Sequence, residues 1–274
     1  MLGGGGVTGI AWELGMLAGL ADHGVDLADA DLVVGTSAGS VVGVDVRSGV
    51  PLADLYERQL APPDGEITAR IGPALVARYG LAVAFTRDPV RARKRLGSVA
   101  LRTRTEAEQA RRKVIASRLR IDQWPAGLLR ITAVDATSGE FMVFEASSGV
   151  SLVDAVGASC AVPGVWPPVS IDGRRFMDGG MRSAANADLA AGYRHVVVLA
   201  PLTRGFGPIP GARHQVTQLA AGGSAVVLVE PDQQALQAIG RNVLDPGHRA
   251  AAARAGRAQA AAHVAAVRQV WQAA

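Results

Sequence analysis

Two glycine-rich motifs near the start of the chain restrict its fold more than any other feature. Residues 4–9 read GGGVTG, and residues 35–39 read GTSAG. A short apolar run at residues 32–34 leads into the second motif, and a helical pattern follows it. A serine in G-x-S-x-G lies on a sharp turn between a strand and a helix, because small flanking residues let the backbone turn there. The spacing predicts a β-loop-α-β-turn-α unit, which is typical of layered α/β folds with a parallel sheet.

The same motifs indicate acyl transfer, with Ser37 as the nucleophile. A glycine loop beside it can direct several backbone N–H groups at one oxygen, as an oxyanion hole requires. A serine hydroxyl needs a base within hydrogen-bond reach. One alternative is a histidine, as in a Ser-His-Asp α/β-hydrolase esterase, although none has a context that presents it: His23, His195, His214, His248 and His263. The other alternative is Asp178, which precedes Gly179 and Gly180, because a carboxylate can also serve as a general base.

The first motif also satisfies G-x-G-x-x-G, the fingerprint of dinucleotide binding, through Gly4, Gly6 and Gly9. That fingerprint is weak without a second strand that ends in an acidic residue for the ribose. Here the second strand ends in Gly35 and Ser37, so we expect neither a dinucleotide nor any other cofactor.

Taken together, the three glycine motifs resemble the patatin-like phospholipase family. Residues 9–17 (GIAWELGML) are similar to its first helix, and residues 158–169 are similar to the segment before its hairpin. Residues 172–180 (DGRRFMDGG) match the hairpin that carries the aspartate of the family. The resemblance covers roughly residues 3–200.

The resemblance implies a three-layer α/β/α sandwich with a central, mostly parallel sheet. It implies lipid acyl hydrolysis without a metal ion, in which Ser37 forms an acyl-enzyme and Asp178 is the base. The oxyanion hole would be formed by Gly4, Gly5 and Gly6, and the motifs would be supported by Gly9, Gly35, Gly39, Gly179 and Gly180.

Two positions depart from the family. Thr8 stands where the family usually has arginine or lysine, which predicts altered activity. Only three residues precede the glycine loop, where the family has a full strand. We therefore expect either a start further upstream or an incomplete sheet at this edge.

The remaining sequence predicts one domain over residues 1–274. It includes a helical, basic insertion at about 51–120 and an alanine-rich helix at about 246–274. Residues 87–120 contain twelve arginines and lysines against three acids, so peripheral contact with an anionic membrane is one hypothesis and a solvated helix face the other.

Aromatic residues are scarce, which argues against nucleic-acid binding. The single cysteine, Cys160, and the lack of a signal peptide favour the cytoplasm. A non-catalytic lipid-binding protein remains an alternative to the lipid or acyl-ester hydrolase.

Overall fold

The computed structural model describes residues 1–63 and 68–271. Within them the strands are β1 (Val33–Thr36), β2 (Leu129–Asp135), β3 (Phe141–Phe144), β4 (Val169–Ile171), β5 (Arg174–Asp178), β6 (His195–Leu199) and β7 (Ala225–Val229). The α-helices are α1 (Gly6–Asp22), α2 (Ala38–Arg47), α3 (Leu52–Leu60), α4 (Pro73–Val83), α5 (Pro89–Arg102), α6 (Glu108–Arg118), α7 (Leu152–Ser159), α8 (Ala212–Ala221), α9 (Gln233–Ile239), α10 (Arg249–Ala260) and α11 (Val264–Trp271). Short 3-10 helices occupy Ala146–Ser148, Gly179–Met181, Ala187–Ala190 and Pro246–His248.

The first three residues join the two parallel parts of the sheet. The N–H of Leu2 donates to the carbonyl of Val34 (2.8 Å), and the N–H of Thr36 donates to the carbonyl of Leu2 (3.0 Å). On the other side, the N–H of Gly3 donates to the carbonyl of Leu199 (2.9 Å). Leu2 therefore bridges β1 and β6 in the parallel sense. The gap expected at this place in the sheet is filled.

The pairing of β2 positions the candidate site. On β2, Thr132 pairs with β1 and β3, while the next residue, Ala133, pairs with β3 and β5. A strand can pair along two edges. β3 occupies one edge of β2, and β1 and β5 share the other edge, one after the other along its length. β1 runs parallel to β2 and β5 runs antiparallel to it. Their carboxyl ends therefore meet, which brings Ser37, just after β1, beside Asp178 at the end of β5.

Helices cover both faces of the sheet. Val197 and Leu199 of β6 belong to the main core, which also contains buried residues of α1, α2 and α7. Between them, Val198 packs with α8 on the opposite face. Val134 of β2 and Met177 of β5 pack beneath α4 and α5 in a further cluster. This alternation along the strands is that of an α/β/α sandwich, so the predicted α/β class is confirmed.

Close contact between α1 and α10 explains the small residues of the tail. A Cβ on Gly15 of α1 would lie 2.1 Å from the carbonyl oxygen of Ala253. A Cβ on Gly256 of α10 would lie 2.3 Å from the carbonyl oxygen of Trp12. Glycine at both positions lets the two backbones approach, and α10 thereby covers a helix that is buried over most of its length.

The predicted C-terminal helix differs from the structure. The helix predicted over 246–274 is divided into α10 and α11 by a turn at residues 261–263, and Val267 of α11 packs into the main core. Residues 272–274 lie outside the described residues. The segment 51–120 contains α3 to α6, with residues 64–67 likewise outside the description. That this segment is an insertion in one domain stays a prediction.

Candidate active site

The turn between β1 and α2 holds Ser37 in a strained backbone conformation. Its φ is 52° and its ψ is −116°, a combination that costs free energy in any residue other than glycine. Glycines on either side make the turn sterically possible. A Cβ on Gly39 would lie 2.1 Å from the carbonyl oxygen of Leu2, and one on Gly35 would lie 2.5 Å from the carbonyl oxygen of Gly39. The N–H of Ser37 donates to the Oγ of Ser159 (2.9 Å), which holds this turn against the end of α7.

Asp178 ends β5 and caps the 3-10 helix that follows. Its Oδ1 accepts the N–H of Gly180 at 2.7 Å, so one carboxylate oxygen is fixed by backbone. Gly179 leaves room for β2, since a Cβ there would lie 2.3 Å from the Oγ1 of Thr132. The two glycines after the aspartate therefore have separate roles, one in orienting the carboxylate and one in allowing close packing.

The hydroxyl of Ser37 donates to the Oδ2 of Asp178 at 2.7 Å. Ser37 is 8% exposed and Asp178 is 2% exposed. Burial raises the pKa of Asp178 to about 7, against the opposing effect of the hydrogen bonds from Ser37 and Gly180. A carboxyl group with a pKa near neutrality can both take up and release a proton at physiological pH. The aspartate predicted from the DGG motif thus contacts the serine predicted from GTSAG.

The glycine loop lies directly beside this pair and begins α1. Gly6 has a φ of 60°, and a Cβ there would lie 2.4 Å from the carbonyl oxygen of Val243. The helix begins at Gly6, and the N–H of Gly9 closes its first turn on the carbonyl of Gly5 (2.8 Å). The N–H groups of the loop are therefore those of a helix N-terminus, which carries a partial positive charge.

The three predicted oxyanion donors are not equivalent. The N–H of Gly4 donates to the carbonyl of Ala184 at 2.7 Å, so it is not available to a substrate oxygen. Among the described residues, the N–H groups of Gly5 and Gly6 have no acceptor. This hydrogen bond fixes the loop to the segment after Asp178, and an oxyanion role for Gly4 stays a prediction that no contact in this geometry supports.

The loop is anchored by two buried polar side chains. The hydroxyl of Thr8 donates to the carbonyl of Val243 at 3.3 Å, so this side chain contributes a loop contact and no charge. The carboxyl group of Glu13 is fully buried and accepts the N–H of Gly3 at 2.8 Å. Burial raises the pKa of Glu13 well above its usual range. Sequence reasoning missed Glu13, which lies on the apolar face of α1 and shares no motif with the loop that it contacts.

Asn186 is a second residue that the motifs did not identify. It is fully buried, and its amide nitrogen lies 3.0 Å from the Oγ1 of Thr36 and 3.2 Å from the carbonyl oxygen of Gly179. It also contacts the carbonyl oxygen of Ser183 at 2.9 Å. Asn186 thereby ties the residue before Ser37 to the residue after Asp178. Its φ of 45° is a conformation that asparagine tolerates better than most residues. The asparagine itself is therefore the only local feature of the sequence that could have indicated this position.

A cavity of about 30 Å³ opens at Ser37. Its walls include Gly6, Val7, Val162, Trp166, Leu244 and Arg111. The guanidinium of Arg111 stacks over the ring of Trp166, 3.7 Å from its centroid. Burial raises the pKa of the nearby Cys160 thiol to about 11, so this cysteine is neutral beside the serine.

In residues 1–63 and 68–271, no three histidine, cysteine, aspartate or glutamate side chains are arranged to hold a metal ion. None of the helices described there is long and apolar enough to cross a membrane.

Comparison with known proteins identifies the family of this chain. The model of the family described as patatin-like phospholipase matches residues 1–191, which include both glycine motifs, Ser37 and Asp178. The chain belongs to this family. It is therefore a member of a family of lipid hydrolases, and a lipid substrate is consistent with that membership.

Two solved structures are similar to this chain. VipD from Legionella pneumophila is 12% identical, with a TM-score of 0.45 over 96% of this chain and 65% of that chain. The type III effector protein ExoU is 16% identical, with a TM-score of 0.39 over 96% of this chain and 52% of that chain. The chain thus spans between half and two thirds of the length of these proteins.

Proposed function

We propose that the protein hydrolyses carboxylic esters of lipids, as a phospholipase or lysophospholipase of the A type, through a Ser-Asp dyad. The single observation that carries this proposal is the 2.7 Å hydrogen bond from the Oγ of buried Ser37 to the Oδ2 of Asp178. A serine with an adjacent base, itself held by a third group, is the arrangement of an activated nucleophile. Here the third group is the N–H of Gly180.

In the first half-reaction, the Oγ of Ser37 attacks the ester carbonyl carbon while its proton passes to Asp178. The tetrahedral intermediate then collapses, the bond to the alcohol breaks, and Asp178 returns the proton to the leaving oxygen. Water attacks the resulting acyl-Ser37 in the second half-reaction and gives a proton to Asp178. The second tetrahedral intermediate then collapses, the bond between the acyl carbon and the Oγ of Ser37 breaks, and Asp178 returns the proton to that Oγ as the fatty acid leaves. A base with a pKa of about 7 suits both directions of this transfer.

The developing negative charge on the carbonyl oxygen needs donors that are already in place. We assign this role to the N–H groups of Gly5 and Gly6, which are free of acceptors among the described residues. Their position at the N-terminus of α1 adds the favourable end of the helix dipole. Gly4 supports the loop and donates nothing to the substrate in this proposal.

The Ser-His-Asp alternative finds no support in the placement of the histidines. Among the described residues, no histidine is hydrogen-bonded to Ser37 or Asp178. His23 contacts the carbonyl of Gly19 at 2.8 Å, and His248 contacts the carbonyl of Ala238 at 3.0 Å. These contacts place both rings at helix ends.

Peripheral contact with an anionic membrane is a further part of the proposal. Large apolar side chains of α4 and the loop after it face outward, including Val76, Leu81 and Phe85, of which Phe85 is 99% exposed. Arg87 and Arg91 follow in the next residues, so apolar and basic groups lie close together along this segment. Basic residues near anionic lipid each contribute about 1 kcal/mol. The cytoplasmic location stays a prediction from the sequence.

Ester hydrolysis by matched variants tests the proposal. We expect the wild type to cleave p-nitrophenyl esters and a lysophospholipid, and Ser37→Ala and Asp178→Asn to lose activity by at least about 100-fold. Ser147→Ala, which removes an exposed hydroxyl, serves as the control and should retain full activity. Equal turnover by the wild type and Ser37→Ala would contradict the proposal. Vesicle binding without turnover by the folded wild type would favour the non-catalytic alternative.

A further inference from the structure

An acidic side chain lies behind the glycine loop, in the core of the protein. Glu13 is the only ionisable residue among residues 7–20 of α1, all of which are buried. Its neighbours on the helix include Leu14 and Leu17, which belong to the main hydrophobic core. Burying a carboxyl group costs free energy, because the group loses its contacts with water. An apolar side chain would suit the packing better, so the acid needs a reason that packing does not supply.

The carboxyl group of Glu13 contacts the residue that leads into the loop. Its Oε1 accepts the N–H of Gly3 at 2.8 Å, and the same N–H also donates to the carbonyl of Leu199 at 2.9 Å. Gly3 is therefore held from two sides, by β6 and by α1. Among the described residues, this is the only hydrogen bond of the Glu13 carboxyl group. The contact with Gly3 is thus what an apolar residue at position 13 would lack.

Gly3 connects the two halves of the candidate site. Its carbonyl accepts the N–H of Gly39 at 2.9 Å, and Gly39 belongs to the turn that carries Ser37. The proposed oxyanion donors, Gly5 and Gly6, follow Gly3 after one residue. A shift of Gly3 would therefore change the distance between these donors and the Oγ of Ser37.

Glu13 closes the loop on its own helix. Gly6 begins α1, and Glu13 lies two turns further along the same helix. Residues 3–6 are thus fixed to α1 at both ends, at Gly6 by the chain and at Gly3 by the carboxyl group. We propose that Glu13 is a positioning residue of the hydrolase, which sets the place of the oxyanion donors relative to Ser37 through the backbone of Gly3. The inference rests on the proposed function and adds a residue to its machinery.

Three substitutions of Glu13 separate the reach of its side chain from its charge. Glu13→Gln keeps an acceptor oxygen at the same reach and removes the charge. Glu13→Asp keeps the carboxyl group and shortens the side chain by one methylene, while Glu13→Met keeps the length without a carboxyl oxygen. Leu20→Ala is the control, because Leu20 is fully buried on the same face of α1, two turns further from the loop.

The expected losses follow the reach of the side chain. Glu13→Asp and Glu13→Met should lower kcat for p-nitrophenyl butyrate by at least about tenfold, with KM within about twofold, because displaced donors lose contact with the charge of the transition state. Glu13→Gln should keep kcat within about threefold of the wild type, since an amide oxygen also accepts the N–H of Gly3. Leu20→Ala should lower the melting temperature and leave kcat unchanged.

Two results of these assays would overturn the inference. One is a wild-type kcat in whichever of Glu13→Asp and Glu13→Met is folded. The other is a kcat that follows the melting temperature through all the variants, with Leu20→Ala included, because Glu13 would then contribute to stability alone.

A trifluoromethyl ketone with the propyl chain of the butyrate ester tests the donors directly. The Oγ of Ser37 adds to the ketone carbon, the proton passes to Asp178, and the ketone oxygen becomes an oxyanion. The adduct therefore imitates the tetrahedral intermediate, and the inhibition constant should rise in each variant by the factor by which kcat/KM falls. An inhibition constant that is equal in the wild type and Glu13→Met, with a reduced kcat in the variant, would exclude an action through the oxyanion donors.

Hydrogen exchange separates this inference from the proposed function. Mass spectrometry of the peptides that contain Gly3 and Gly39 reports on the anchor without any turnover. Exchange there should be faster in Glu13→Met and Glu13→Asp than in the wild type and Glu13→Gln. If this order is found and no ester is cleaved, the fixing of the loop by Glu13 is supported and only the hydrolase proposal fails. Equal exchange in all folded variants would overturn the inference.

Discussion

The pH dependence of ester hydrolysis follows from the environment of Asp178. Its carboxyl group must be ionised to take the proton of Ser37, and burial raises its pKa to about 7. The active fraction therefore increases with pH. For a single group of this pKa, the carboxylate fraction falls about tenfold between pH 8 and pH 6. We expect kcat/KM to follow the same curve, with its midpoint near pH 7 and no second, basic limb below pH 9.

The assay uses p-nitrophenyl butyrate, which does not titrate in this range, read at a wavelength where both forms of the product absorb equally. Circular dichroism at each pH verifies that the protein stays folded. Asp45 has a raised pKa of about 7 as well, so Asp45→Asn is the matched control and should leave the midpoint unchanged. Any residual rate of Asp178→Asn should be independent of pH.

Two results would refute this reasoning. A wild-type profile that stays flat from pH 8 to pH 5 would show that Asp178 is not the base in this range. The second is a midpoint that moves in Asp45→Asn while Asp178→Asn keeps the wild-type profile. That result would show that the titrating group is Asp45 and not Asp178.

Three further perturbations test the structure around the site. Gly39→Ala places a Cβ 2.1 Å from the carbonyl oxygen of Leu2 and should destabilise the protein by about 2 kcal/mol or more. The control is Gly72→Ala, whose Cβ meets no atom within 4 Å and which should leave the melting temperature unchanged. Equal melting temperatures of the two variants would contradict the packing argument. Asn186→Asp replaces a buried donor by an acceptor and should cost about 1–3 kcal/mol in urea unfolding and lower kcat; an unchanged kcat would exclude a positioning role. The raised pKa of Asp45 means that its contribution to stability is complete below pH 4 and is lost as pH rises through 7, by up to about 4 kcal/mol. Asp45→Asn should flatten this part of the stability–pH curve, and an unchanged slope would contradict it.

The site was predictable from the sequence where backbone geometry requires particular residues. Gly35 and Gly39 are needed for the turn at Ser37, because a Cβ at either position would collide with backbone. The DGG motif likewise marks the end of a strand whose aspartate faces the serine. Such motifs are readable because each depends on residues that are close in the chain.

Other features depend on residues that are distant in the chain. Asn186 acts through contacts with Thr36 and Gly179, and Glu13 acts through the backbone of Gly3, so neither produces a periodic pattern. The pairing of Leu2 with both β1 and β6 involves a segment too short to show a periodic pattern.

Covalent labelling of Ser37 tests the central claim most directly. A fluorophosphonate reacts with a serine that has an adjacent base, and peptide mass spectrometry identifies the labelled residue. We expect one label for each chain, on Ser37, with none in Ser37→Ala and a rate reduced by at least about 100-fold in Asp178→Asn. A folded wild type that is not labelled, or is labelled on a different residue, would contradict the assignment of Ser37 and Asp178 as the reacting pair.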